Sequence, residues 1–210
     1  VHGLLRGQHG TFVEFDATSA QVRQEMAYES QMMGHCVGQF ANRKSFSGGY
    51  GEHYAEGLES GRMRLFSYRT GTAQPRITVN AYVQKDGKLQ IEQIKGKQNR
   101  PPIARYMPDV VTLLNQLPLN DEVPEDALSM GIVRRPPEVL KSHPGLAPWC
   151  SVQELQTDAE QLWLMQQHPA LLPQLNLQSP LMQWMVAARK DSLDSEVIER
   201  MPKSAALQQT

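Results

Sequence analysis

The sequence predicts an α+β fold, a compact β-α-β-β-β-α unit around a small antiparallel sheet, followed by a mainly helical C-terminal region. Three observations carry this. Residues 64–69, 76–83 and 89–95 alternate apolar and polar side chains with the period of two expected of strands. The last two runs flank Lys85-Asp86-Gly87-Lys88, and Asp-Gly between alternating runs is a strong hairpin signal. Ahead of them, Val22, Met26, Met33, Val37 and Phe40 recur at helical spacing.

In chain order, Thr11 to Phe15 reads as the first strand, and Asp16 to Ser19 supplies helix-capping residues. Residues 17–42 are expected as one helix, or as two broken at Gly34. The glycine- and serine-rich run Ser45 to Gly51, within residues 43–61, suits a mobile loop, either a surface insertion or a lid. In the strands that follow, Ile77, Val79, Ala81 and Val83 share one face, and Thr78, Asn80 and Tyr82 the other. Strict alternation places Gln93 in an apolar row with Leu89 and Ile91. A buried amide there needs partners, since an unpaired one costs about 1–3 kcal/mol, so Gln93 is a cross-link or a site residue. A helix at 107–117 closes a first domain spanning 1–118. Residues 119–150 read as a proline-rich connection, and 151–210 as a helical region. There Ser151 with Glu154 forms a capping box before a helix to Gln167, and Ser179-Pro180 starts another. A final helix is expected at Asp191 to Arg200, with a frayed tail after Pro202.

The chain is 40% hydrophobic and 20% charged with a net charge of -1, so no global field draws it to nucleic acid or an acidic membrane. Cys36 and Cys150 are too few for a disulfide framework or a cysteine zinc site, which predicts a reduced, cytoplasmic setting. No apolar run approaches the roughly 20 residues of a membrane span. The opening Val1-His2-Gly3 lacks an initiator Met and a signal pattern, so the chain is expected to be an excerpt or a processed product.

Among candidate site residues, His35-Cys36 is the sharpest pair. A thiolate needs a helix N-terminus or an imidazole beside it, and a break at Gly34 would put Cys36 in the first turn of a new helix. In a continuous helix adjacent residues diverge by about 100°, leaving His53 on the glycine-rich stretch as the candidate base. The alternative is that Cys36 is a small core residue beside Met33, Val37 and Phe40. Gly34 and Gly38 permit close packing or backbone contact with a ligand. Ser67 and Arg69 share a strand face, where an arginine pairs with a carboxylate or holds an anionic ligand. Lys95, Gly96, Lys97, Asn99 and Arg100 form a locally basic loop able to cradle phosphate, without P-loop spacing. Gln90-Ile91-Glu92 has the Q-x-E form found near the glutamate of some ADP-ribosyltransferases. No metal-binding motif, nucleophile elbow or dinucleotide fingerprint appears.

In order, Met33 to Phe40, Ser60 to Arg69, Thr78-Val79, and Gln93 to Asn99 with Arg100 and Pro102 follow M-G-H-C-V-G-x-[YF], S-G-R-x-R-[IL]-[YF]-S-[LY]-R, T-[IV]-E and Q-I-K-G-K-x-N-R-x-P. In this the chain resembles the PcfJ-like family of phage, conjugative-plasmid and other bacterial proteins, over about residues 25–117. Asn80 stands where the family has the glutamate of T-x-E, and residues 45–57 look longer than usual. The resemblance implies a mobile-element or bacterial-conflict setting, including delivery to a target cell, and a polar pocket built from His35, Cys36, Ser67, Arg69, Gln93, Gly96 and Asn99. Three functions follow as expectations: acyl transfer or hydrolysis through Cys36 or His35, a nucleotide- or nucleic-acid-binding module, and an NAD-dependent transferase. The partner, any other cofactor and the oligomeric state are open.

Overall fold

The computed structural model describes residues 1–188. The chain divides into two units, Val1–Met130 and Gly131–Thr210. The first contains β1 (His2–Arg6), β2 (Thr11–Glu14), α1 (Val22–Met33), α2 (Gly49–Glu59), β3 (Met63–Thr70), β4 (Gln74–Val83), β5 (Leu89–Lys95), α3 (Met107–Gln116) and α4 (Glu125–Ser129). Its five strands form one antiparallel sheet in sequence order, with β3 central. The α+β class is as the sequence predicts.

Alternation along β3 sends Leu65 and Ser67 to one face of the sheet and Phe66 and Tyr68 to the other. On the first face Leu65 joins Phe15, Val22, Met26, Val37, Phe40, Ala55 and Leu58 in a core that packs α1 and α2 against the sheet. On the second, Tyr68 donates its hydroxyl to Asp109 of α3, whose Val110, Leu113 and Leu114 are buried. Asp109 also accepts from the backbone N–H groups of Gln8 and His9, pinning the β1–β2 turn. Strand β1 has no counterpart in the sequence reading, because its five residues carry too little alternation to announce it.

Three expectations change. Helix α1 stops at Gly34, which takes φ +67° and donates its N–H to the Ser30 carbonyl; no helix begins at Cys36, and residues 35–48 carry only turns, bends and one isolated bridge. Left-handed φ is costly for a side chain with a Cβ, which is why the break falls on this glycine. The stretch expected as a mobile loop holds helix α2, with Ala55 and Leu58 buried at helical spacing and Gly51 packed under Phe40. Its glycines serve close packing. In β5, Asn80 pairs with Gln93 and Ala81 with Ile91, so Glu92 is an extra, bulged residue. The bulge turns Gln93 out of the apolar row and puts Ile94 in its place; Ile94 is fully buried and Gln93 half-buried.

Residues 119–150 also carry regular structure. In α4, Asp126 accepts from the Ile94 N–H and pairs with Lys95 at 2.8 Å, covering the outer edge of β5. The second unit contains β6 (Ile132–Arg134), α5 (Pro137–Ser142), β7 (Trp149–Ser151), α6 (Asp158–Gln167) and α7 (Pro180–Ala188), with β6 and β7 antiparallel. Arg135 bonds Glu160 at 3.1 Å, both side chains being buried. The Ser151–Glu154 capping box opens a single 3-10 turn, and Thr157 caps α6. Helix α7 begins at Pro180 as expected. The helix expected at Asp191 to Arg200 and the tail beyond lie outside the described residues. Among those described, no helix is long and apolar enough to cross a membrane.

Candidate functional site

The site is built where the α1 C-terminus meets the turn after β5. A cleft of about 670 Å³ opens there, lined by residues that include Ser30, Gly34, His35, Cys36, Phe40, Arg43, Phe46 and Asn99. Two of the sequence motifs therefore share one wall: Gly34-His35-Cys36 from the first and Asn99 from the last. The two motifs touch at Gly34, where even a Cβ would stand in ordinary van der Waals contact with Gln98 Cγ, at 3.4 Å. Gly38 lets its segment pack onto the backbone of α1, where a Cβ would fall 1.9 Å from the Met26 carbonyl oxygen.

Beneath the cleft lies a buried polar cluster centred on Glu29, a residue the sequence motifs do not single out. Its carboxylate is fully buried between α1 and the sheet. Oε1 accepts from the Ser67 hydroxyl at 2.8 Å and from Arg69 Nη2 at 2.9 Å, and Oε2 accepts from the Thr78 hydroxyl at 2.8 Å. Arg69 Nε also donates to Ser67 Oγ at 2.8 Å. Burial pushes the Glu29 carboxyl above its ordinary range, while Arg69 and the two hydroxyls pull against that shift. A guanidinium and two hydroxyl donors converging on one carboxylate is how a buried charge is held.

The cluster reaches the cleft through His35. Thr78 gives its single proton to Glu29, so its oxygen accepts the 2.9 Å bond from His35, which fixes the imidazole with its proton on Nε2. His35 Nδ1 is then a lone pair on the Ser30 side, 3.4 Å from Ser30 Oγ, at the limit of a hydrogen bond. Ser30 Oγ is already anchored as the acceptor of the Gly38 N–H. Burial lowers the His35 pKa below its ordinary value of 6.5, so the ring is neutral at pH 7. The arrangement holds a neutral imidazole in one tautomer by a hydroxyl-to-carboxylate relay, and His35 lines the cleft.

The remaining expected site residues fall in different places. Cys36 is half-buried in the cleft wall, with its Sγ 3.9 Å from the Tyr54 hydroxyl. No hydrogen bond joins His35 to Cys36, whose sulfur faces Tyr54 instead, so the pair is not a catalytic dyad. His53 is exposed on α2, stacked edge-on against Tyr54 at 5.4 Å, and does not line the cleft. Tyr54 is no base either, because burial first and Cys36 second raise its pKa well above the usual phenol range. Ser67 is fully buried and bound to Glu29, so it holds the relay and touches no ligand. Arg69 serves the same carboxylate; its guanidinium lies 5.6 Å over the Tyr28 ring, in a second, smaller groove. Lys95 is neutralised by Asp126, and Gly96 is buried, with room for a Cβ only 3.2 Å from the Arg100 and Pro101 carbonyls. Gln93 faces the α1–α2 side opposite Asn80, outside the cleft lining. Glu92, from the Q-x-E run, accepts from Asn80 at the bulge.

The strain in the backbone gathers at the cleft. Among the described residues, four that are not glycine have left-handed φ: Phe46, Ala73, Gln98 and Asn99. Phe46 and Asn99 line the cleft and Gln98 covers Gly34. Such conformations cost on the order of 1–3 kcal/mol each and concentrate at sites of function. No cluster of three or more metal-ligating side chains occurs among the described residues. No protein-family model, curated protein or solved structure matches the chain.

Proposed function

We propose that the first unit is a hydrolase of small acyl compounds in which His35 is the general base. The observation that carries this is the fixed, neutral imidazole at the cleft, oriented through Thr78 to the buried Glu29–Arg69 pair. A general base needs an unprotonated nitrogen at working pH, a fixed tautomer and support for the charge it acquires. Burial supplies the first and the relay the second. The Glu29 carboxylate, linked through one hydroxyl, supplies the third.

In the step we propose, Nδ1 takes a proton from a water in the cleft as the water oxygen bonds to the substrate carbonyl carbon. The tetrahedral intermediate then collapses by breaking the bond to the leaving group, which receives that proton from His35. Cys36 shapes the wall beside this nitrogen; no histidine nitrogen bonds its sulfur, so water is the nucleophile we favour. The order of motifs supports a PcfJ-like assignment, and with it a mobile-element or conflict setting, as part of the same proposal.

Hydrolysis of p-nitrophenyl acetate by the full chain tests the reading. General-base catalysis contributes about 10²–10⁴-fold. The wild-type rate is therefore expected to exceed that of H35Q by about 100-fold or more, and to rise with pH through a midpoint below 6.5. C36A is expected to keep most of the activity. An H35Q variant as fast as the wild type overturns the proposal.

A further inference from the structure

The cleft carries one permanent charge, and it is positive. Of the side chains lining it, only Arg43 is a cation and none is a carboxylate. Arg43 makes no ion pair or hydrogen bond with any described residue. On α2, Glu52 and Glu59 pair instead with Arg23 of α1, at 2.8 and 2.6 Å.

The segment that bears Arg43 is fixed in place. Asn42 Oδ1 accepts from the Lys44 and Ser45 N–H groups, at 2.9 and 3.0 Å, and Asn42 bridges to Ser47. The Phe46 carbonyl accepts from Arg23 Nη1 at 2.9 Å, which holds Phe46 at φ +53°. That strained conformation sets the half-buried Phe46 ring in the cleft wall, edge-on to Phe40 at 6.0 Å. Asn99, in the same lining, is also left-handed and offers an amide with no side-chain partner among the described residues. The cleft lining thus combines a guanidinium and an amide without side-chain partners among the described residues, an aromatic ring and the imidazole of His35.

We infer that the cleft selects anionic acyl compounds: a carboxylate or phosphate pairs with Arg43, a flat apolar group lies against Phe46, and Asn99 bonds the acyl amide or ester. This rests on the hydrolase reading only in taking the same cleft as the site. It goes further in naming the substrate class. An exposed arginine paired to a carboxylate contributes little by itself, up to about 1 kcal/mol, or roughly fivefold in affinity. A bidentate pair on a cleft wall lies at the upper end of that range.

The test is binding of matched probes to the full chain, followed by NMR or calorimetry. N-benzoylglycine carries the carboxylate, N-benzoylglycinamide lacks it, and phenyl phosphate separates phosphate from carboxylate recognition. The wild type is expected to bind at least one anion about three- to tenfold more tightly than the amide. R43Q is expected to abolish that preference and R43K to keep part of it, with the preference falling as salt rises. Equal binding of the anions and the amide, no binding of any probe, or a preference unchanged in R43Q overturns the inference. The readout is binding, so it is separable from turnover. A protein that prefers the anions yet hydrolyses no ester defeats the hydrolase reading alone, and one that hydrolyses esters without the preference defeats this inference alone.

Discussion

Replacing Glu29 with alanine removes the centre of the buried cluster, and the structure sets the scale of the loss. The Arg69 side chain is 10% exposed and would be stranded without its partner. Breaking a buried ion pair from one side costs about 3–5 kcal/mol. Ser67 and Thr78 each lose their acceptor as well, at about 1 kcal/mol apiece when they can partly re-pair. The expected loss is therefore about 5 kcal/mol, against a stability of roughly 5–15 kcal/mol for a whole domain. The two units can be read separately, since all six tyrosines precede residue 131 and all three tryptophans follow it. In urea, the tyrosine near-ultraviolet signal is expected to lose its structure about 2–3 M earlier in E29A, for a slope near 2 kcal/mol per M. E29Q keeps the shape and two of the acceptor positions and is expected to lose about half as much. A loss below 1 kcal/mol in E29A would mean that Glu29 does not organise this side of the sheet.

Other outcomes follow from the same geometry. G38A drives a Cβ to 1.9 Å from the Met26 carbonyl, backbone that cannot step aside, and is expected to cost about 3 kcal/mol in the same tyrosine-detected urea transition. Iodoacetamide is expected to label Cys36 and spare Cys150 in the native protein, because burial pushes the Cys150 thiol up to about 12; mass spectrometry of the digested protein gives the ratio. His35 titrates below its unfolded value of 6.5. Between those two values the unfolded chain binds the extra proton, so this contribution to stability is complete above 6.5 and declines as pH falls towards the folded pKa. Urea midpoints measured across that window are expected to show the decline in the wild type and a weaker one in H35Q.

Much of the sheet was legible because the sequence alternates from Ile77 to Val83 and an Asp-Gly turn joins that strand to β5. The bulge at Glu92 was not, since one inserted residue reverses every later side chain without altering composition. Helix α2 was hidden by glycines that read as loop and in fact allow Phe40 and Met63 to pack closely. The cleft's two motifs, around His35 and around Asn99, were visible as strings, and the fold brings them together. Ser67 and Arg69 were visible too, but their role was not, because it lies in their pairing with Glu29, which belongs to no motif. A signal for Glu29 was present: it lies three residues after Met26 and four before Met33, inside the apolar stripe of α1. A carboxylate on a buried stripe opposite a strand face bearing Ser, Arg and Thr asks for that pairing.

The tautomer of His35 tests the relay most directly. In E29Q the amide nitrogen takes the place of Oε2 and donates to Thr78, which then donates to His35 Nε2 and drives the ring proton to Nδ1. Long-range ¹⁵N–¹H NMR of the histidine rings at neutral pH distinguishes the two forms. The expected result is an Nε2–H ring in the wild type and an Nδ1–H ring in E29Q. An Nδ1–H ring in the wild type, or the same tautomer in both proteins, would contradict a Glu29-set base at the cleft.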